Sequence, residues 1–117
     1  MKEQELLLRY ILPAGILDYF RITGVEDDDY LGLSIYLEEK NIPPEEYKDV
    51  RLKAHGFHKE STIRDFPLRG KPCFLKVKRR RWLLIESGRV ISRDWNIVAQ
   101  GTRITEDFAT FLKGINR

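Results

Sequence analysis

Residues 76–84 read KVKRRRWLL, in which Lys76, Lys78, Arg79, Arg80 and Arg81 place five cations in six positions ahead of a tryptophan. Side chains of this kind neutralise phosphates or carboxylates, and arginine does so with a planar fork that engages either anion through two hydrogen bonds. Charge this dense normally belongs to a solvated tail. Here it lies between the apolar residues of CFLKV and WLLI, a setting that reads as a β-strand. On a strand, Phe74, Lys76, Lys78, Arg80 and Trp82 share one face, and Cys73, Leu75, Val77, Arg79 and Arg81 share the other. The first face carries a row of cations about 7 Å apart, a track for phosphates, with Trp82 beside it to stack or pack. Past Val77 both faces are charged. Arg79–Arg81 are therefore expected where a two-stranded ribbon projects beyond the core, a shape that enters a DNA major groove. The returning strand adds Arg89 and Arg93. The candidate DNA-binding set is Lys76, Lys78, Arg79, Arg80, Arg81, Arg89 and Arg93, expected to form one exposed surface. A solvated face that merely discourages edge pairing would need only lysines.

No comparable constellation points to catalysis or to a metal. His55, His58 and Cys73 make at most three ligands, and the two histidines of a His-x-x-His on a strand point to opposite faces. Neither a nucleophile elbow nor a glycine-rich phosphate loop occurs, and Gly70 and Gly88 read as turn glycines. The expectation is a chain without cofactor or metal that is not an enzyme.

The elements that must position the cations follow from the pattern along the chain. Residues 2–12 predict a helix with Leu7, Leu8, Ile11 and Leu12 on one face, ended by Pro13. One more turn is expected over residues 14–18. YFRITGV and YLGLSIYLEE predict two strands joined by an acidic hairpin loop, EDDD. Residues 50–66 predict one or two strands and PLRGKP a turn. CFLKVKRRRWLLI is expected as one long strand that turns at ESG and returns through RVISRDWNIV. Thr105 is expected to cap a last helix with Phe108, Phe111 and Leu112 on one face. The fold class is thus α+β: an N-terminal helix, a β-hairpin, a basic antiparallel β-meander or ribbon, and a C-terminal helix, in a single domain of 117 residues.

Charge is divided along the chain. Residues 1–50 hold 5 Lys and Arg against 12 Asp and Glu, whereas residues 51–117 hold 16 against 6. The modest net charge of +3 conceals this asymmetry, which predicts a polyanion partner for the second half. The bland alternative is that the acidic half folds against the basic half and neutralises it. A single cysteine excludes an internal disulfide and fits a reducing cytoplasm. No apolar run approaches the roughly 18 residues of a membrane span, and the first residues make a poor signal peptide.

The stretches LPAGILDYFRITG, IYLEEKNIPP, TIRDFPLRGKPCFLKVKRRRW, RDWNIVAQGTR and FATFLKGINR together carry a resemblance. The chain resembles the N-terminal region of insertion-sequence transposases of the ISAon type, relatives of a larger DDE-transposase family, nearly end to end. In that larger family the stretch similar to IRDFPLRGKPCFLKVKRRRW belongs to a zinc-ribbon-like module whose basic strand ends in a zinc-ligand cysteine. Trp82 stands at that position here, and the preceding Cys-x-x-Cys knuckle is missing. The resemblance therefore implies a ribbon in which packing around Trp82 and Trp95 replaces the metal. The DDE centre would lie outside this chain: Asp27, Asp28 and Asp29 are adjacent in one loop, whereas two-metal catalysis needs carboxylates gathered from separate points.

The reading is a non-catalytic N-terminal accessory domain that binds transposon-end DNA and works with a catalytic transposase domain or chain. The competing reading is a protein-interaction or homo-oligomerisation module with no nucleic-acid contact. A continuous positive strip along residues 76–93 would favour the first, and a strip covered by residues 26–49 the second.

Overall fold

Alternation of buried and open positions builds the main sheet. The structure, a computed structural model, describes residues 3–95 together with Ala109, Phe111, Leu112 and Ile115. Helix α1 spans Glu3–Ile11 and α2 spans Ile16–Tyr19. Seven strands follow: β1 (Phe20–Asp28), β2 (Gly32–Glu39), β3 (Leu52–Phe57), β4 (Ser61–Leu68), β5 (Lys71–Lys78), β6 (Arg80–Leu84) and β7 (Val90–Ser92). They form a four-stranded sheet in the order β1-β2-β5-β4 and a three-stranded sheet in the order β3-β6-β7. The α+β class is as expected.

Period-two burial places Ile35 and Leu37 of β2, and Cys73, Leu75 and Val77 of β5, on one face of the larger sheet. Leu12, Ile16, Leu17 and Phe20 pack on that face, as do Trp95, Phe111, Leu112 and Ile115. A second, smaller core of Trp82, Leu84 and Ile91 belongs to the other sheet. The expected C-terminal helix lies largely outside the described residues, and three of its side chains, Phe111, Leu112 and Ile115, are buried in the main core.

The structure corrects four expectations. First, CFLKVKRRRWLLI is not one strand. It breaks at Arg79 and passes from the larger sheet into the smaller. Second, the basic half is not a simple antiparallel meander. β4 and β5 do form a hairpin across Arg69 and Gly70, both with positive φ, the turn that matches strand twist. β5 then pairs in parallel with β2, from Leu33↔Cys73 to Glu38↔Lys78. Third, the acidic segment is not all loop: β1 runs through Asp28, and the turn is made by residues 29–31. Asp28 Oδ1 accepts the N–H groups of Tyr30 and Leu31, each at 2.8 Å, which holds the turn and keeps the carboxyl below its usual range. Fourth, α1 buries little of its apolar face: of its residues there, Leu8 alone is half-buried against the main core. Leu7 is 63% exposed and Ile11 is open as well, while Leu12, beyond the last helical residue, enters the core.

Candidate nucleic-acid interface

Period two also explains the least expected residue of the region. Ile35, Leu37 and Glu39 are in phase on β2, so the row that lines the main core ends in a carboxylate, 1% exposed. A carboxylate at that depth must be paired and hydrogen-bonded. Glu39 Oε2 accepts Arg93 Nε at 2.9 Å, and Oε1 accepts the backbone N–H of Arg80 at 2.9 Å. Arg80 Nε donates to the Glu39 carbonyl at 3.2 Å. Burial pushes the Glu39 carboxyl up, against the pull of the Arg80 N–H and of Arg93.

Arg93 is correspondingly committed. Its side chain is 7% exposed, and its guanidinium also donates to the Ile42 carbonyl. The guanidinium carbon lies 5.0 Å from the Tyr19 ring centre and 5.8 Å from those of both Trp82 and Trp95, within cation–π range. Trp95 stacks on Phe20 in the main core, while Trp82 belongs to the small one. The two tryptophans therefore do not form the single metal-replacing cluster that the resemblance implied. They flank an arginine that joins two cores. Trp82 is 1% exposed, and its Nε1 donates to Asn41 Oδ1 at 3.0 Å.

The seven candidate cations thus separate. Arg80 and Arg93 leave the expected exposed surface: Arg80 packs over the Phe57 ring at 4.6 Å and lies 4.0 Å from Glu38, and Arg93 is held by Glu39. Lys76 and Lys78 stand on the outer face of β5, where Lys76 Nζ donates to Thr62 Oγ1 at 3.1 Å. Arg64 of β4 adds to this face, 5.9 Å from the ring of Phe74. Arg89 is exposed in the β6–β7 turn.

Arg81 alternates with Arg80 on β6 and points to the opposite face of the smaller sheet, and Arg79 sits at the break just before it. His58 meets them there. Its N–H donates to the Arg79 carbonyl at 2.8 Å, and its Nε2 is 2.5 Å from Ser92 Oγ. Burial, then the charges of Arg79 and Arg81, hold the imidazole below its ordinary value. The sequence offered His58 only as a weak metal ligand. Its contact with the arginines depends on strand pairing that no local pattern carries.

Among the described residues, no group of three or more His, Cys, Asp or Glu is gathered to hold a metal ion, and no helix is long and apolar enough to cross a membrane. Compared with known proteins, the chain matches no family model, no curated protein and no solved structure.

Proposed function

We propose that this chain is a non-catalytic accessory domain of an insertion-sequence transposase and holds transposon-end DNA through its basic strands. The catalytic DDE domain would lie elsewhere on the polypeptide or on a second chain. One observation carries the reading. Glu38 and Glu39 take up Arg21, Arg80 and Arg93, yet no ion pair among the described residues engages Lys76, Lys78, Arg79, Arg81 or Arg89. Cations that stability does not consume are available to phosphates. The test is a gel shift with duplexes from the ends of the encoding element and with scrambled duplexes of equal length. Retardation of the terminal duplexes is expected, and no retardation of any duplex at low salt would overturn the reading.

A second reading, an interaction or homo-oligomerisation module, has its own support. Leu6, Leu7, Tyr10 and Ile11 are exposed on α1, and Tyr30, 96% exposed, stands with Leu31 at the acidic hairpin tip. Exposed apolar groups on this scale mark protein contacts. Sedimentation at several concentrations separates the readings: a tight oligomer that ignores DNA belongs to the second.

A further inference from the structure

A β-bulge makes room for an arginine pair. Ala54 pairs with Trp82 and Phe57 with Arg80, so His55 and Gly56 of β3 together oppose Arg81 of β6. The Arg81 guanidinium lies over the bulge, 3.6 Å from the point where a side chain on Gly56 would start. On the other side of β6, Arg81 pairs with Ser92 of β7. The contact between His58 and Ser92 must cross β6, because that strand lies between β3 and β7. Arg81 is thereby set beside Ser92 and the His58 imidazole, and Arg79, whose carbonyl takes the His58 backbone N–H, stands close enough for its charge to act on that imidazole. The Nε atoms of both Arg79 and Arg81 are shielded from solvent and have no hydrogen-bond partner. A shielded charged donor without an acceptor is unfavourable, and an anion held on the partly exposed outer part of the two side chains would offset that cost.

We propose that Arg79, Arg81, His58 and Ser92 form a seat for one phosphate group, entered from the outer face of the smaller sheet. The two forks supply charge-assisted N–H donors from two places, Arg79 at the break between β5 and β6 and Arg81 on β6, and Ser92 offers a hydroxyl. Arginine suits this role because its fork is planar and stays charged at any working pH. The imidazole, held below its ordinary value by burial and then by the arginines, disfavours a repulsive charge of its own and fixes the Ser92 hydroxyl in place. The inference rests on the proposed DNA reading only for the source of the phosphate, a backbone phosphodiester; the seat itself requires only phosphate chemistry.

The test uses the full chain in chloride buffer, with inorganic phosphate as the first probe and a duplex as the second. Nitrogen-detected NMR follows the arginine Nε–H signals during phosphate titration. The Arg79 and Arg81 signals are expected to shift together and to saturate. Arg79→Gln and Arg81→Gln are each expected to weaken phosphate binding about tenfold, as loss of a charge-assisted contact does. Lys71→Gln, exposed at the start of β5, is expected to change nothing. If the glutamine variants do not fold, the titration of the parent chain still decides. Saturable shifts without duplex binding would keep the seat and remove the DNA reading. Duplex binding unchanged in Arg79→Gln/Arg81→Gln, with no saturable shift of either Nε–H by phosphate, would remove the seat and leave the DNA reading to the lysines.

Discussion

Glu39 and Arg93 join the two sheets through a pair that is expensive to break from one side. Both are withdrawn from water, so removing either partner strands the other in a shielded site. Arg93→Ala is expected to cost about 3–5 kcal/mol by denaturant unfolding. Glu39→Leu combined with Arg93→Met is expected to cost much less than the single changes together, because replacing both charges by apolar groups strands neither. Equal and additive losses would mean that the pair is not the joint. Trp82→Ala is expected to cost a further about 3–5 kcal/mol, since it empties the centre of the small core; a loss below about 1 kcal/mol with DNA binding abolished would make Trp82 a stacking residue instead. His58 gives the pH dependence. Burial, then Arg79 and Arg81, keep its folded-state value below 6.5, so as pH falls the unfolded chain takes the proton first. Its contribution to stability is complete above 6.5 and is lost as pH falls through the depressed value. Glu39, raised from 4.5, has the opposite slope, stabilising below that value and losing its contribution as pH rises through the folded one. The comparison is therefore parent against His58→Gln: the variant is expected to lose less stability between neutral pH and pH about 5. Identical slopes would mean that neither burial nor the arginines hold His58 below its ordinary value.

At the scale of elements, the parallel pairing of β2 with β5 depends on a close approach at its start. Gly32 has φ +92, and a methyl group there would sit 2.3 Å from the Pro72 carbonyl oxygen. Gly70 has φ +77 but open space around it. Gly70→Ala is thus expected to cost about 1–3 kcal/mol, the backbone strain alone. Gly32→Ala is expected to cost clearly more, because the β2–β5 pair must part to admit the methyl. Equal melting temperatures for the two variants would show that the approach is not needed. The same pair of strands shows what could be read from the sequence. Ile35 and Leu37, and Leu75 and Val77, announce themselves by alternation, which is a local property. The partner of a strand is not local, and nothing within either segment distinguishes a parallel neighbour from a hairpin. The break at Arg79 left a local trace: Val77 and Trp82 are each buried but on opposite phases of the alternation. That phase shift was the visible signal, because one uninterrupted strand would put Val77 and Trp82 on different faces. Glu39 was legible in the same way, as an acid in phase with Ile35 and Leu37. The arginine seat was not legible, because His58, Arg81 and Ser92 meet only through pairing.

For the molecule as a whole, the division of charge along the chain is partly spent on folding. Residues of the acidic half hold Arg80 and Arg93 at the joint of the two sheets. Of the seven cations first assigned to DNA, Lys76, Lys78, Arg79, Arg81 and Arg89 stand outside these pairs. This subtraction sets the size of the expected salt effect. If each remaining cation neutralises one phosphate, the slope of log affinity against log salt is about −4.5. Raising salt from about 50 to about 200 mM would then weaken binding several-hundred-fold. Arg79→Gln with Arg81→Gln is expected to flatten the slope by about two units, and Lys76→Gln with Lys78→Gln by the same amount. Arg80→Gln and Arg93→Gln differ in kind: they are expected to lower stability and leave the slope of the folded protein nearly unchanged, because their charges already answer to Glu38 and Glu39. Fluorescence anisotropy at four salt concentrations reads the slope, and thermal melts of the same samples read stability. A full unit of slope lost in Arg93→Gln, without loss of stability, would show that the joint opens on DNA and that the acidic half is a cover rather than a fixed part of the fold.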